Sequence, residues 1–200
     1  MLIVLLLLLL SACAQRGDDF FEAERFEAAA DVYIQAAEQG DVTMMLRLAE
    51  MYAAGKIGYR RDYDNAVLWY TKAADLGVVS AMFELGFIYE YGQGAVAQDT
   101  SQAEYWYRQA AEHGHAYSQY RLAALLAQQL NNVEGDEALR AYGWFLIAER
   151  SAQACKNEPQ CRIVIEDLFN FHWQLQQRLP EQQQTLARQQ AAEWKKKAGP

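Results

Sequence analysis

Apolar residues in this chain fall into clusters at helical spacing rather than into strand-like alternation, and the clusters recur at a fixed interval. Val32-Tyr33-Ile34-Gln35-Ala36-Ala37-Glu38-Gln39-Gly40 returns as Trp69-Tyr70-Thr71-Lys72-Ala73-Ala74-Asp75-Leu76-Gly77, and again as Trp106-Tyr107-Arg108-Gln109-Ala110-Ala111-Glu112-His113-Gly114, a period of 37 residues. A second block keeps the same register: Leu48-Ala49-Glu50-Met51-Tyr52 matches Leu85-Gly86-Phe87-Ile88-Tyr89, and Leu122-Ala123 continues the series. A period of this length marks stacked supersecondary units. Such units bury apolar faces against their neighbours and leave an extended surface for binding.

The elements follow from this pattern. A first helix is predicted from Asp19 to Gln39, with Asp18 or Asp19 as its N-cap. Three pairs follow: Val42 to Ala54 with Asp62 to Leu76, Val78 to Tyr91 with Asp99 to His113, and His115 to Leu130 with Asp136 to Gln153. Asp62, Asp99 and Asp136 stand where a carboxylate can accept from the orphan N–H groups of a helix start. Gly40, Gly77 and Gly114 stand where a left-handed residue ends a helix. The paired alanines before each glycine are small because neighbouring helices approach closely there. The recurrent aromatics Tyr33, Trp69, Tyr70, Trp106, Tyr107, Trp144 and Phe145, together with Tyr52 and Tyr89, read as packing residues. Tyr63 and Tyr105 fall outside the main repeat matches and are candidate partner-binding anchors, since exposed aromatics are enriched at interfaces.

Leu85-Gly86-Phe87-Ile88-Tyr89-Glu90-Tyr91-Gly92-Gln93-Gly94 resembles the first helix and glycine-rich loop of the Sel1-like repeat family, relatives of tetratricopeptide repeats. Asp99, Ala103, Trp106, Tyr107, Ala110, Ala111 and Gly114 resemble its second helix. The loops from Gly55 to Asp62 and from Gly92 to Asp99 are one residue longer than usual for the family. Ala141 to Glu149 resembles a last, degenerate unit. Leu179-Pro180-Glu181-Gln182 with Ala191-Ala192-Glu193-Trp194 resembles a C-terminal capping helix, and Pro180 suits its first turn. The resemblance implies an all-α, right-handed α-solenoid of antiparallel helix pairs that mediates protein–protein contacts. The repeats are expected over residues 19–153, with capping helices over 154–200.

The start of the chain carries a different signal. Met1 to Leu10 is almost entirely Leu, Ile and Val, too short to span a bilayer and suited to the apolar core of a secretory signal. Leu10-Ser11-Ala12-Cys13 resembles a bacterial lipobox. That implies a signal peptide over 1–12, lipidation at Cys13 and a short linker over 13–18. No Lys or Arg precedes the apolar run, a departure from the usual signal. Ala14, where an aspartate would favour inner-membrane retention, implies an outer-membrane, periplasm-facing location.

Composition narrows the class further. The 200 residues include 3 Pro, and the formal charge is −8. Nucleic-acid recognition needs basic patches, so a nucleic-acid partner is not expected. Cys155 and Cys161 flank Lys156 to Gln160. In an oxidising compartment the pair is expected to form a disulfide, two free thiols being the alternative. Of the three histidines, His113, His115 and His172, the first two stand two apart at a helix junction with no third metal ligand evident, and no nucleophile elbow, phosphate loop or zinc-binding H-E-x-x-H is present. No cofactor is expected, and the chain is expected not to be an enzyme. The expected role is a lipid-anchored envelope adaptor. The alternatives are an enzyme or binder directed at cell-wall material, as some cysteine-rich relatives imply, and an assembly factor for polysaccharide export.

Overall fold

The computed structural model describes residues 15–58, 60–129, 136–154 and 179–198, all of whose regular secondary structure is helical. The expected signal, the lipidation site Cys13, the pair Cys155 and Cys161, His172 and the expected cap over residues 155–178 lie outside these residues. The chain divides into two compact units, Met1–Asp99 and Thr100–Pro200.

In the first unit, α1 (residues 15–22) leads into α2 (Phe26–Glu38), α3 (Val42–Ala54), α4 (Tyr63–Asp75) and α5 (Val79–Tyr91). Successive helices pack as hairpins: α2 on α3, α3 on α4, α4 on α5. The caps explain why the helices are short. Asp41 accepts from the Thr43 and Met44 backbone N–H groups at 3.0 and 3.2 Å, a cap that the repeat pattern alone does not reveal. Asp62 accepts from Asn65 N–H at 3.0 Å. That bond, followed by the Asn65 side chain, holds the Asp62 carboxyl below the usual range. At the other end of α4, Gly77 adopts φ 87°, and the Ala73 and Ala74 carbonyls accept from Val78 and Gly77. Ala36 with Ala37 and Ala110 with Ala111 make the same bonds one period away.

The glycine-rich loops also close identically. Asp62 N–H donates to Tyr52 O, and Asp99 N–H donates to Tyr89 O, both at 2.9 Å. Gly92 is required twice over: its φ is 63°, and a Cβ there would lie 2.8 Å from the Gln98 nitrogen.

The core bears out the reading of the small and aromatic positions. Ala36, Ala37, Ala73, Ala74, Tyr33, Trp69, Tyr70, Leu48 and Leu85 are buried in the first unit. Each core side chain removes apolar surface from water at about 25 cal/mol per Å². The alanines add little area but let the backbones approach.

One expected element differs. The helix from Asp19 to Gln39 is two helices, broken at Glu24, which sits at φ 56°. Glu24 N–H and Arg25 N–H donate back to Phe21 O and Phe20 O, so a glutamate takes the place a glycine fills in the repeats. The turn brings the Phe21 and Phe26 rings edge to face at 5.3 Å. Helix α1 starts by residue 15, so the segment expected to be a linker is helical from there. Asp18 lies inside α1 and is not an N-cap.

The second unit comprises α6 (Thr100–Glu112), α7 (Ala116–Gln129), α8 (Asp136–Ala154) and α9 (Glu181–Ala198). Here α6 packs on α7, α7 on α8, and α8 on α9. Tyr107, Ala110, Ala111, Leu122, Tyr142 and Phe145 are buried, and the last two rings stack at 5.9 Å. Trp106 and Trp144 are half-buried. Ala187 and Ala191 of α9 are buried. Pro180 precedes α9, and its carbonyl accepts from Gln183 and Gln184.

Candidate interaction surface

The residues with the most versatile chemistry are used for structure. His115 precedes α7, and its Nδ1 accepts the Ser118 N–H at 3.2 Å and lies 2.7 Å from the Ser118 hydroxyl. It therefore caps a helix start, and burial lowers its pKa, keeping the ring neutral for that task. His113 Nδ1 lies 2.8 Å from the Gln109 carbonyl on the exposed surface. Among the described residues, no group of three or more His, Cys, Asp or Glu is placed to hold a metal.

Tyr63 and Tyr105, the two aromatics singled out by sequence, occupy different settings. Tyr63 opens α4 and is half-buried, with its ring beneath Gly94: a Cβ on that glycine would lie 2.9 Å from the ring. It supports the glycine-rich loop. Tyr105 is 52% exposed on α6, its ring edge-on to Trp106 at 4.9 Å.

A more continuous surface lies on α5. Its buried face carries Ala81, Met82, Leu85 and Ile88. Its other face carries a row of three aromatics. Phe83, Phe87 and Tyr91 are spaced four apart, and their rings follow one another at 6.5 and 4.8 Å. Phe87 is 39% and Tyr91 50% exposed. Residues at this spacing share one helix face, and a run of exposed aromatics along one helix face points to a docking surface. Sequence reasoning missed this stripe because its residues lie within a repeat. Placing the repeats in register reveals it, because Phe87 stands where the preceding unit has Glu50, and Tyr91 where it has Ala54.

One carboxylate belongs to the same face, and a second, on α3, lies near it. Glu84 lies one turn from Phe87. Burial, and then the nearby Glu50 of α3, raise its carboxyl above the usual range. Burial raises Tyr70 strongly, and Glu84 and Glu50 push it the same way.

A groove of about 390 Å³ lies beside this region, lined by Phe21, Tyr33, Arg47, Glu50, Met51 and Lys56. At its edge Arg47 donates to Asp18 at 2.7 Å and to the Tyr33 hydroxyl at 3.3 Å. Charge is distributed unevenly: residues 1–99 hold fifteen acidic and seven basic side chains, a net of −8, while residues 100–200 hold eleven of each. The second unit has its own aromatic pair, Tyr117 and Tyr120, at 5.9 Å. It also has a groove of about 330 Å³ between α8 and α9, lined by Glu149, Arg150 and Arg188 among others.

The Sel1 repeat model matches residues 43–78, 79–115 and 116–151. A search of curated proteins finds no match. Among solved structures, the chain is similar to a protective antigen present in uropathogenic Escherichia coli strains and displaying an SLR fold, at 25% identity and a TM-score of 0.62. It is also similar to a Sel1 repeat protein from Oxalobacter formigenes, at 26% identity and a TM-score of 0.55. The first alignment covers 92% of this chain and the second 69%. The chain spans 38% and 55% of the lengths of those two proteins.

Proposed function

The chain belongs to the Sel1 repeat family, and on that premise we propose that it is a lipid-anchored scaffold of the cell envelope that holds protein partners on its helical surface. Sel1 repeats generally mediate protein–protein contacts. The observation that carries the reading for this chain is the exposed aromatic face of α5, apolar surface that a helix exposes to water at a cost unless something docks on it.

The anchoring part rests on Leu10-Ser11-Ala12-Cys13. Among the described residues no helix is long and apolar enough to cross a membrane, so attachment through Cys13 would depend on acyl chains, more than one of which is needed for stable anchoring. The residues that follow suit a close attachment. Residue 15 is already helical, and α1 is tied to α2 and α3 through Asp18, Tyr33 and Arg47. An acylated Cys13 would then hold the first unit close to the bilayer rather than on a long tether. Ala14, where an aspartate would favour inner-membrane retention, supports an outer-membrane location facing the periplasm.

Mass spectrometry of the mature N-terminus tests the anchor. An acylated Cys13 is the expected result, with Cys13→Ala released from the membrane fraction. An unmodified Cys13, or a mature chain that retains residues 1–12, removes the anchored reading. Crosslinking in the native envelope tests the scaffold: protein adducts are expected, and their absence from a folded, correctly located chain overturns it.

A further inference from the structure

Resting on the scaffold reading above, we infer that the α5 face and the adjoining edge of α3 dock an arginine-bearing segment of a partner protein, its guanidinium groups set against Glu50 and Glu84 and over the Phe87 ring.

Three observations on this face converge. First, Glu50 and Glu84 are like charges close enough to interact, and Glu84 is partly withdrawn from water. Arg47, one turn before Glu50 on α3, is committed to Asp18. A cation arriving from outside would relieve the repulsion between the two carboxylates. Second, the aromatic stripe supplies ring faces on the same helix face as Glu84, with Phe87 and Tyr91 exposed. A guanidinium is planar and weakly hydrated. It can fork onto a carboxylate while stacking on a ring, whereas an ammonium stays a strongly hydrated point charge. Third, the same unit already favours cations over rings. Arg25 lies 4.6 Å over Phe20, Lys56 4.7 Å over Phe26, and Lys72 3.8 Å over Trp69. The net −8 of residues 1–99 would steer a basic partner toward this unit before contact. Phe87 and Tyr91, exposed and four apart, then offer anchorage for apolar side chains between the arginines.

Selection from a random dodecapeptide library on the immobilised full-length protein tests the inference without presupposing a sequence. Peptides carrying arginine next to aromatic or aliphatic residues are expected to be enriched. Fluorescence anisotropy with one enriched peptide should show binding that weakens with salt. It should weaken about tenfold or more in Glu84→Gln or Phe87→Ala, the scale of losing one charge-assisted contact, with far-UV circular dichroism unchanged. Leu186→Ala, at an exposed position of the second unit, should leave it unaltered, and replacing arginine by lysine in the peptide should weaken it. If a variant loses helicity, Glu50→Gln, a change at an exposed position, carries the test in its place. Enriched peptides that are neutral or acidic, or that bind equally well to both variants, overturn the arginine assignment and leave the scaffold standing. A folded chain that enriches no peptide yet crosslinks to envelope proteins likewise overturns only this inference. One that does neither removes the scaffold reading as well.

Discussion

The Tyr33 hydroxyl donates to the Asp18 carboxylate at 2.6 Å across fifteen positions of sequence. The bond ties α1 to the first repeat-like helix, and Arg47 reaches over from α3 to both partners. Burial, then the Asp18 hydrogen bond and charge, push the Tyr33 hydroxyl up to about 12 from 10.0. The protonated form is thus favoured in the folded state. Above pH 10 the unfolded chain gives up a proton that the folded chain keeps, so stability falls with rising pH. Urea midpoints are expected to be flat up to about pH 9 and to decline between about pH 10 and 12. Tyr33→Phe should flatten part of that decline. A decline identical in wild type and variant would assign it to other groups, such as Tyr70.

Gly17 fixes how closely α1 approaches. A Cβ there would lie 2.3 Å from Tyr33 Cε1, and the ring cannot retreat, because it is fully buried and hydrogen-bonded. Gly17→Ala should therefore lift α1 from α2 at a cost of about 1–3 kcal/mol, the scale of overpacking. Hydrogen exchange should report lost protection over residues 15–22, with α4 and α5 unaffected. Unchanged protection in α1 would show that the contact yields easily.

Glu24 is an unpaid opportunity for stabilisation. It holds a left-handed conformation that costs a side-chain-bearing residue about 1 kcal/mol, and it is exposed. Glu24→Gly should stabilise the first unit by up to about 1 kcal/mol, read as a higher thermal midpoint. A lower midpoint would mean that the glutamate side chain contributes more than its backbone strain removes.

The repeat stack was legible because each local choice agrees with the global one. Gly77 ends a helix, Asp62 starts one, and Ala73 and Ala74 sit where backbones meet, so propensity, capping and packing point the same way. The break at Glu24 was not legible, because glutamate is a good helix former and the turn is held by backbone bonds and by the edge-to-face contact of Phe21 with Phe26, neither of which a helical pattern announces. The α5 face was hidden for a related reason. A periodic pattern directs attention to what repeats, while Phe87 and Tyr91 matter because they differ from Glu50 and Ala54. Tyr63 shows the converse: it stands off the main repeat matches, yet its ring supports the loop at Gly94.

With the envelope location proposed above, Cys155 and Cys161 are expected to be bridged, closing a loop of about seven residues worth about 2 kcal/mol, toward the low end because the loop is short. Thiol labelling of unfolded, unreduced protein measures this directly. No labelling at these two positions is the expected outcome, and two reactive thiols would rule the bridge out.

Ala73 and Ala110 distinguish a stack held by close packing from one that tolerates loose contacts. Both are fully buried, and each carbonyl accepts from the residue after a helix-ending glycine. Three extra carbons at either position would have to displace backbone or a neighbouring helix. Ala73→Leu or Ala110→Leu should therefore cost about 1–3 kcal/mol, seen as a lower urea midpoint with an unchanged slope. Tyr105→Ala, at an exposed position, should shift the midpoint by less than about 0.5 kcal/mol. The contrast also bears on function. A scaffold should lose partner binding in proportion to unfolding in the alanine variants, and gradually as Phe87, Tyr91 and Tyr105 are removed in turn. An enzyme should lose turnover at once when a single carboxylate or histidine is removed and the fold persists. If His113→Ala alone abolishes function while helicity and partner crosslinking survive, the scaffold reading fails.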